Sequence, residues 1–441
     1  MPQIVINQKN MKKLFLIISL ISLSFALHAQ ENEADLKTLI NQSFVYFPQF
    51  KELGQAVDVE QQRIALAKAA GLPSIQAGGS YRYINPVSEI SIPAGNSMLE
   101  FQIMPKSNYS ASLDLNYTLW DFGVVKAGVD RAKAGLQYAK ENLEFNRNQM
   151  AFQVSSIYYQ IAYLKEAIAI QDSVVNFLEV NKKDTEIKFR NGDALKYDVL
   201  SIQSSIDQEG NRKIDLQNDL NKQYALMEYA TGARIKASSS NFVFPAQNKY
   251  DLNEALAEAQ NNNPEFRLIK ARIEQAEAEL KVSQTNGKPS LVMSGGTGYK
   301  NGFTPDINKF RYNYSAGVTL NIPIYQGGRA RKQVRLSQSQ LLQSKFSEES
   351  LSNSYRKDIQ QAMVDITSNT SSLVNSGRQV TEAKEAQKLA HSRYRNGIGT
   401  NLELTNASTN VQKAELTNLR YKYQLCVAQL TIAKLTGLKY W

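Results

Sequence analysis

Few residues in this chain could do covalent chemistry. His28 and His391 are the only histidines and Cys426 is the only cysteine. No nucleophile–base pair and no spacing of metal ligands appears, so an enzyme is the weakest reading, and the pattern calls for no cofactor. Among the 41 acidic residues, a pair is matched across an internal repeat. Asp198 and Glu403 occupy corresponding places six residues past Gly192 and Gly397, which follow Arg190-Asn191 and Arg395-Asn396. Two chemistries fit them. Repeated around a symmetry axis, such carboxylates form a cation-attracting ring. Standing alone, they are first-turn helix acids stabilised by the helix dipole.

Those acids must be positioned by long helices. Aromatic-Arg-Asn-Gly occurs twice, as Phe189–Gly192 and Tyr394–Gly397, and each copy ends a proline-free run followed by a second amphipathic run. The pattern predicts two helical hairpins with Asn-Gly at each bend. Leu143, Met150, Ile157 and Leu164, with Val154, Ile161, Ile168 and Val175, predict a packed seam in the first long helix. Ile359, Ile366, Leu373 and Val380 predict one in the second. Cys426 falls on the seam of the last helix and reads as a buried thiol. A helix of about 66 residues spans about 100 Å.

The bends belong to a whole-chain repeat. Asp198 and Glu403, Trp120 and Tyr325, and Gly123 and Gly328 share one offset, 397 − 192 = 205. Upstream, Pro73 and Pro289 share another, 289 − 73 = 216. The difference places an 11-residue insertion between Tyr83 and Tyr109, in an exposed loop. The expected organisation is a signal peptide over 1–29, one repeat over 30–245 and a second over 246–441. The leader has Met11-Lys12-Lys13, an apolar Leu14–Leu27 stretch and a small Ala29, with Met11 an alternative start. One helix is expected over Ala34–Ala70, another over Leu252–Ser283, and a non-helical crossing from Gly232 to Lys249.

Each repeat also carries two segments of strict period two. Ile75, Ala77, Gly79, Tyr81 and Tyr83 alternate with Ser74, Gln76, Gly78, Ser80 and Arg82. Tyr109, Ala111, Leu113, Leu115, Tyr117 and Leu119 oppose a Ser/Asp/Asn/Thr face. The second repeat follows with Leu291–Tyr299 and Tyr312–Ile322. Four strands of about 10 residues, with tyrosines at their ends, have the length and girdles of membrane-crossing β-strands. A soluble sandwich is the alternative. Four strands cannot close a barrel, because outer-membrane barrels need at least about eight. The expectation is therefore a homotrimer whose 12 strands enclose a polar lumen and face outer-membrane lipid. The net charge of +10 comes from cations interleaved with acids, which argues against a nucleic-acid partner.

At this point the ordered set of segments resembles the TolC-like outer-membrane efflux proteins. The resemblance rests on Leu72-Pro73-Ser74 and Lys288-Pro289-Ser290 before strands, and on Trp120-Asp121-Phe122-Gly123 and Tyr325-Gln326-Gly327-Gly328 after them. It rests also on the two bends. It implies a mostly helical protein with some strands: long antiparallel hairpins forming an α-barrel, and four transmembrane strands per chain in a 12-stranded trimeric β-barrel. It further implies a passive exit duct serving a tripartite efflux pump or a type I secretion system. The partners would be a periplasmic adaptor (membrane fusion) protein and an inner-membrane pump of RND, ABC or MFS type. Carried over residue by residue, Arg190, Asn191, Gly192, Arg395, Asn396 and Gly397 become adaptor-docking tips. Asp198, Glu403, Asn406 and Tyr394 become the tunnel constriction, and Gly399 stands where some members carry a linking arginine. A soluble periplasmic adaptor or coiled-coil scaffold is the competing function.

Overall fold

The structure is a computed structural model that describes residues 35–95, 97–232 and 251–441. The expected signal peptide lies outside the described residues, as does the expected crossing from Gly232 to Lys249 beyond Gly232 itself. The helices are α1 (Leu36–Tyr46), α2 (Pro48–Ala69), α3 (Val124–Arg190), α4 (Lys196–Thr231), α5 (Leu252–Asn262), α6 (Pro264–Thr285), α7 (Arg329–Arg395) and α8 (Asn401–Thr436). The strands are β1 (Ser74–Tyr83), β2 (Glu89–Ala94), β3 (Ser97–Gln102), β4 (Ser107–Trp120), β5 (Ser290–Lys300) and β6 (Arg311–Asn321).

The repeat is written into these boundaries. Helices α3 and α7 are both 67 residues long, α4 and α8 both 36, and their ends correspond at the 205-residue offset. Helices α1 and α5 have 11 residues each, α2 and α6 have 22, and they correspond at the 216-residue offset. The change of offset falls between β1 and β4, where β2 and β3 form a separate hairpin. The single helices expected over Ala34–Ala70 and Leu252–Ser283 are each two. Proline at 48 and 264 drives the preceding Phe47 (ψ 122°) and Asn263 (ψ 130°) out of the helical region.

The chain divides into two compact units, each drawing on both repeats. One takes residues up to Lys51, Phe145–Asn263 and Asn353–Trp441; the other takes Glu52–Glu144 and Pro264–Ser352.

In the second unit, β1, β4, β5 and β6 form one antiparallel sheet in the order β1-β4-β5-β6. Its register joins the apolar faces of the separate strands. Ala111 lies opposite Gly79 and Tyr299, and Tyr299 opposite Tyr312. Leu113 lies opposite Ala77 and Thr297, with Tyr314 beyond. The alternate face carries Ser80, Ser110, Ser112, Asn116, Ser294 and Ser315. A bulge between Thr118 and Trp120 makes Leu119 the extra residue and sets Trp120 opposite Leu291, so the alternation expected through Leu119 ends one residue early. No residue of these four strands is buried. An apolar face and a polar face are both uncovered, and β1 and β6 leave two open edges.

The first unit holds the helical core. Along α3, Met150, Val154, Ile157, Ile161 and Leu164 are buried as the heptad predicts. Beyond Ile161 the second row changes. Ala167, Val174 and Asn181 are buried where Ile168 and Val175 were expected. The first row keeps its spacing of seven through Gln171, Leu178 and Thr185, so only the companion row has moved, one residue back to the other flank of the first. The seam expected in α7 is weaker. Ile359 is fully buried, but Ile366, Leu373 and Val380 are only half-buried, and Val364, Val374 and Leu389 are about 60% exposed.

Candidate functional site: the hairpin tips

Both bends are C-terminal helix stops. Gly192 (φ 85°) and Gly397 (φ 74°) are left-handed, and the N–H groups of Asp193 and Ile398 donate back to Lys188 O (2.8 Å) and Arg393 O (3.0 Å). A Cβ at either glycine would meet open space, so only the backbone angle demands glycine there. Arg190, Asn191, Gly192, Arg395, Asn396 and Gly397 are all exposed.

The four expected constriction residues are in four different situations. Tyr394 is buried, and its hydroxyl is 2.8 Å from Thr185 Oγ1 on α3. Lys188 Nζ donates to Tyr394 O at 2.7 Å and lies 3.8 Å from the centre of its ring. Asn181 Nδ2 donates to Asn401 Oδ1 at 3.0 Å. The two hairpins are thus joined near their tips by Thr185–Tyr394, Lys188–Tyr394 and Asn181–Asn401. Thr185, Lys188 and Asn181 were missed in the sequence because each looks like an ordinary polar helix residue. Their one signal is that Thr185 falls on the heptad row of Leu143, Met150, Ile157 and Leu164.

Glu403 is exposed, with Arg393 Nε 3.7 Å from its carboxylate, and its N–H is capped by Thr400 Oγ1 at 3.2 Å. An exposed pair of this geometry contributes little to stability. Gly399 packs beside it, a Cβ there falling 3.1 Å from Glu403 Oε2. Asn406 is exposed and lines, with Glu403, Glu382, Asn410 and Lys413, an open groove of about 710 Å³ between α7 and α8. Asp198 behaves as a helix-start acid: its carboxylate accepts the Leu195 N–H at 3.0 Å. Leu195 has no side-chain acceptor, so the reciprocal half of a capping box is missing. The structure therefore groups Glu403 with Asn406, ties Tyr394 to α3, and occupies Asp198 locally.

Further along the same unit lies a buried polar cluster that the sequence did not reveal. Gln171 Nε2 donates to Glu209 Oε2 at 2.7 Å and to Glu209 O at 2.9 Å. Gln412 Nε2 donates to the same Oε2 at 2.7 Å and to Gln171 Oε1 at 3.0 Å. Arg212 closes the other oxygen at 2.8 Å. Three helices, α3, α4 and α8, meet at one carboxylate. No metal-binding group of His, Cys, Asp and Glu occurs among the described residues.

Cys426 is fully buried, and burial pushes its thiol up to about 12. It is a protonated core thiol at neutral pH. Maleimide at pH 8 is expected to leave the folded protein unlabelled and to label it fully in denaturant, read by mass spectrometry. Rapid native labelling would overturn the packing assigned to α8.

The sequence profile described as "Outer membrane efflux protein" matches the chain twice, at residues 39–233 and 255–438. The chain is 23% identical over 451 aligned positions to outer membrane protein TolC of Salmonella enteritidis, covering 97% of this chain and 86% of that protein. It is 21% identical over 410 positions to nodulation protein T of Rhizobium leguminosarum bv. trifolii, covering 91% and 85%. Among solved structures, the outer membrane protein VceC of Vibrio cholerae superposes with a TM-score of 0.74 at 14% identity, covering 91% of this chain and 96% of that one. The twice-matched profile follows the same duplication as the helix boundaries, and the chain belongs to the outer membrane efflux protein family.

Proposed function

We propose that three copies of this chain form a passive exit duct through the outer membrane. The observation that carries this reading is the four-stranded sheet with two uncovered faces and two open edges. An unpaired edge in an exposed sheet invites a further strand. Joining β6 of one copy to β1 of the next removes every edge, gives a 12-stranded barrel, turns the apolar face to lipid and leaves the polar face around water. The weakly covered seam of α7 supports the same assembly, because a neighbouring copy would bury Ile366, Leu373 and Val380 in an α-barrel. The two repeats, 30–245 and 246–441, then act as near-equivalent sectors around the tunnel. The test is a heat-modifiable trimer in the outer-membrane fraction that conducts in planar bilayers. A monomer in the soluble periplasm overturns the reading and favours an adaptor or scaffold.

The exposed bends at Arg190-Asn191-Gly192 and Arg395-Asn396-Gly397 are the docking points for a periplasmic adaptor protein. Through it the duct serves an inner-membrane pump of RND, ABC or MFS type, or a type I secretion system. In vivo crosslinking from Asn191→Cys and Asn396→Cys, with identification of the captured protein, checks this. Capture of no periplasmic adaptor from either position would reject it.

Glu403 and Asn406, with Asp198 and Tyr394, form the constriction. Tyr394 holds the second hairpin against α3, so Tyr394→Phe removes one neutral hydrogen bond. The loss is about 1 kcal/mol, or about fivefold in a closed–open equilibrium. Single-channel recordings should show a higher open fraction for Tyr394→Phe and weaker cation preference for Glu403→Ala. Conductance unchanged in Tyr394→Phe, Glu403→Ala and Asp198→Ala would remove the gating role.

A further inference from the structure

The sheet places its cations on one face and at one end. Ser80, Ser110, Lys300 and Arg311 form a single cross-strand row, each directly opposite the next. Arg82, opposite Asn108, stands on the same face one row further out. These are polar-face positions by the alternation of every strand. The opposite face at this end carries Tyr81 and Tyr109, with ring centres 5.1 Å apart, and Tyr299 and Tyr312, 5.5 Å apart. The cations therefore point away from the aromatic, lipid-type face.

Like charges directly opposite each other on neighbouring strands are destabilising. Here nothing on the sheet offsets them. Among the described residues, none of Arg82, Lys300 and Arg311 has a carboxylate within 4.0 Å. Arg311 Nη1 donates to the Thr304 carbonyl at 3.3 Å, and its buried Nε has no acceptor. Lys300 Nζ lies 5.1 Å from the Phe303 ring, a contact that leaves its charge uncompensated. The one acid on this face is Asp114, four residues along β4 from Ser110 and about 13 Å away. That exceeds the Debye length of about 10 Å in 0.1 M salt. Asp114 is also engaged by Ser112 Oγ at 2.8 Å. The adjoining β2–β3 hairpin carries Glu89 and Glu100 and the β5–β6 loop carries Asp306, partly balanced by Lys106 and Lys309.

We propose that Arg82, Lys300 and Arg311 form an anion-attracting girdle at the loop end of the duct, favouring solutes that bear carboxylate, sulfonate or phosphate groups. The inference rests on the trimeric barrel proposed above, in which the polar face lines the lumen. Three copies bring nine cations into one ring, and a ring of fixed charges at a pore mouth raises the local concentration of counter-ions. Solutes bearing such groups are then concentrated at this mouth.

The test uses the full-length trimer in planar bilayers under a potassium chloride gradient. Arg82→Gln, Lys300→Gln and Arg311→Gln combined should shift the reversal potential toward potassium, with a several-fold fall in the chloride-to-potassium permeability ratio. Arg82→Lys with Arg311→Lys keeps the charge and should keep the selectivity. A second measurement leaves the cations in place. Ser110→Cys sits in the charged row, and the buried Cys426 gives no background. An anionic methanethiosulfonate should modify Ser110→Cys several-fold faster than a cationic one. The difference should collapse near 1 M salt, where the Debye length is about 3 Å. Channels whose selectivity ignores the triple substitution, or equal rates for the two reagents, overturn the girdle while leaving the duct intact. Absence of any conductance in the wild-type protein overturns the barrel itself, and the girdle with it.

Discussion

Replacing Gly437 with alanine is expected to destabilise the helical unit by about 3 kcal/mol, whereas the same change at its repeat partner Gly232 should cost about 1 kcal/mol. Both glycines end a return helix in the left-handed region, at φ 77° and 74°. That part of the cost, about 1 kcal/mol, is shared. The surroundings differ. A Cβ at Gly437 would lie 2.7 Å from the backbone carbon of Asn262 and the backbone nitrogen of Asn263. This junction cannot retreat freely. Asn263 Nδ2 donates to Lys434 O and Leu435 O at 2.9 and 3.0 Å, and its Oδ1 accepts from Tyr355 at 3.3 Å. At Gly232 the obstacle is the ring of Tyr46, a half-exposed side chain that can rotate away. Asparagine tolerates the left-handed region, so Gly232→Asn should approach wild type while Gly437→Asn should not. Thermal unfolding of the detergent-solubilised protein reads all four variants. Equal losses at the two positions would mean that backbone angle alone decides, and that the Asn263 junction yields.

The contrast shows what a repeat offers a sequence reader. The offsets of 205 and 216 identify equivalent positions, and the helix ends obey them residue for residue. The offsets do not reveal that one member of a pair meets backbone and the other a tyrosine. The same holds for the strands. Period-two alternation located β1, β4, β5 and β6, because each has one face of Ser, Asn, Thr and Asp. The β2–β3 hairpin went unread as a loop, although Gly95-Asn96 lies between alternating Ile90/Ile92 and Leu99/Phe101. Such a two-residue connection is a hairpin signal. Pro93 within β2 runs against that signal, since proline is confined to edges and irregular positions of sheets.

At the tips, composition and spacing located the bends and both acids but not their partners. Asp198 as a helix-start acid was one of two open readings, and its bond to the Leu195 N–H realises that one in the single chain. Tyr394 was legible only through the family resemblance. Its partners Thr185 and Lys188 lie about 200 residues away in sequence, beyond any local pattern. The slip of the α3 companion row after Ile161 has the same origin. Heptad counting assumes a fixed partner, whereas the buried face follows whichever helices are present.

The largest effect in the helical unit is expected at the Gln171–Glu209–Gln412 cluster, where substitutions should be strongly non-additive. Glu209 is 8% exposed, and its Oε2 depends on two amide donors. Gln412→Leu removes one charged hydrogen bond and should cost about 2 kcal/mol. Gln171→Leu with Gln412→Leu leaves that oxygen with neither donor, and only the half-exposed Arg212 still reaches the carboxylate. A buried carboxylate stripped of its partners costs about 3–5 kcal/mol. Adding Glu209→Leu to the double variant should recover most of this, because the charge that needed the donors is gone and three apolar side chains fill similar volume. Glu209→Leu alone should be milder than the double variant. Gln171 Nε2 keeps the Glu209 carbonyl and Gln412 Nε2 keeps Gln171 Oε1, so each amide nitrogen retains one acceptor. Urea unfolding in detergent orders the four proteins. A triple variant as unstable as the double would show that side-chain shape, not charge burial, governs the site. Recovery of stability with altered conductance would assign the cluster a different task. One polar group at a buried seam position specifies helix register at a cost in stability. Glu209, held by α3 and α8, would then fix how α4 is seated beside the tunnel.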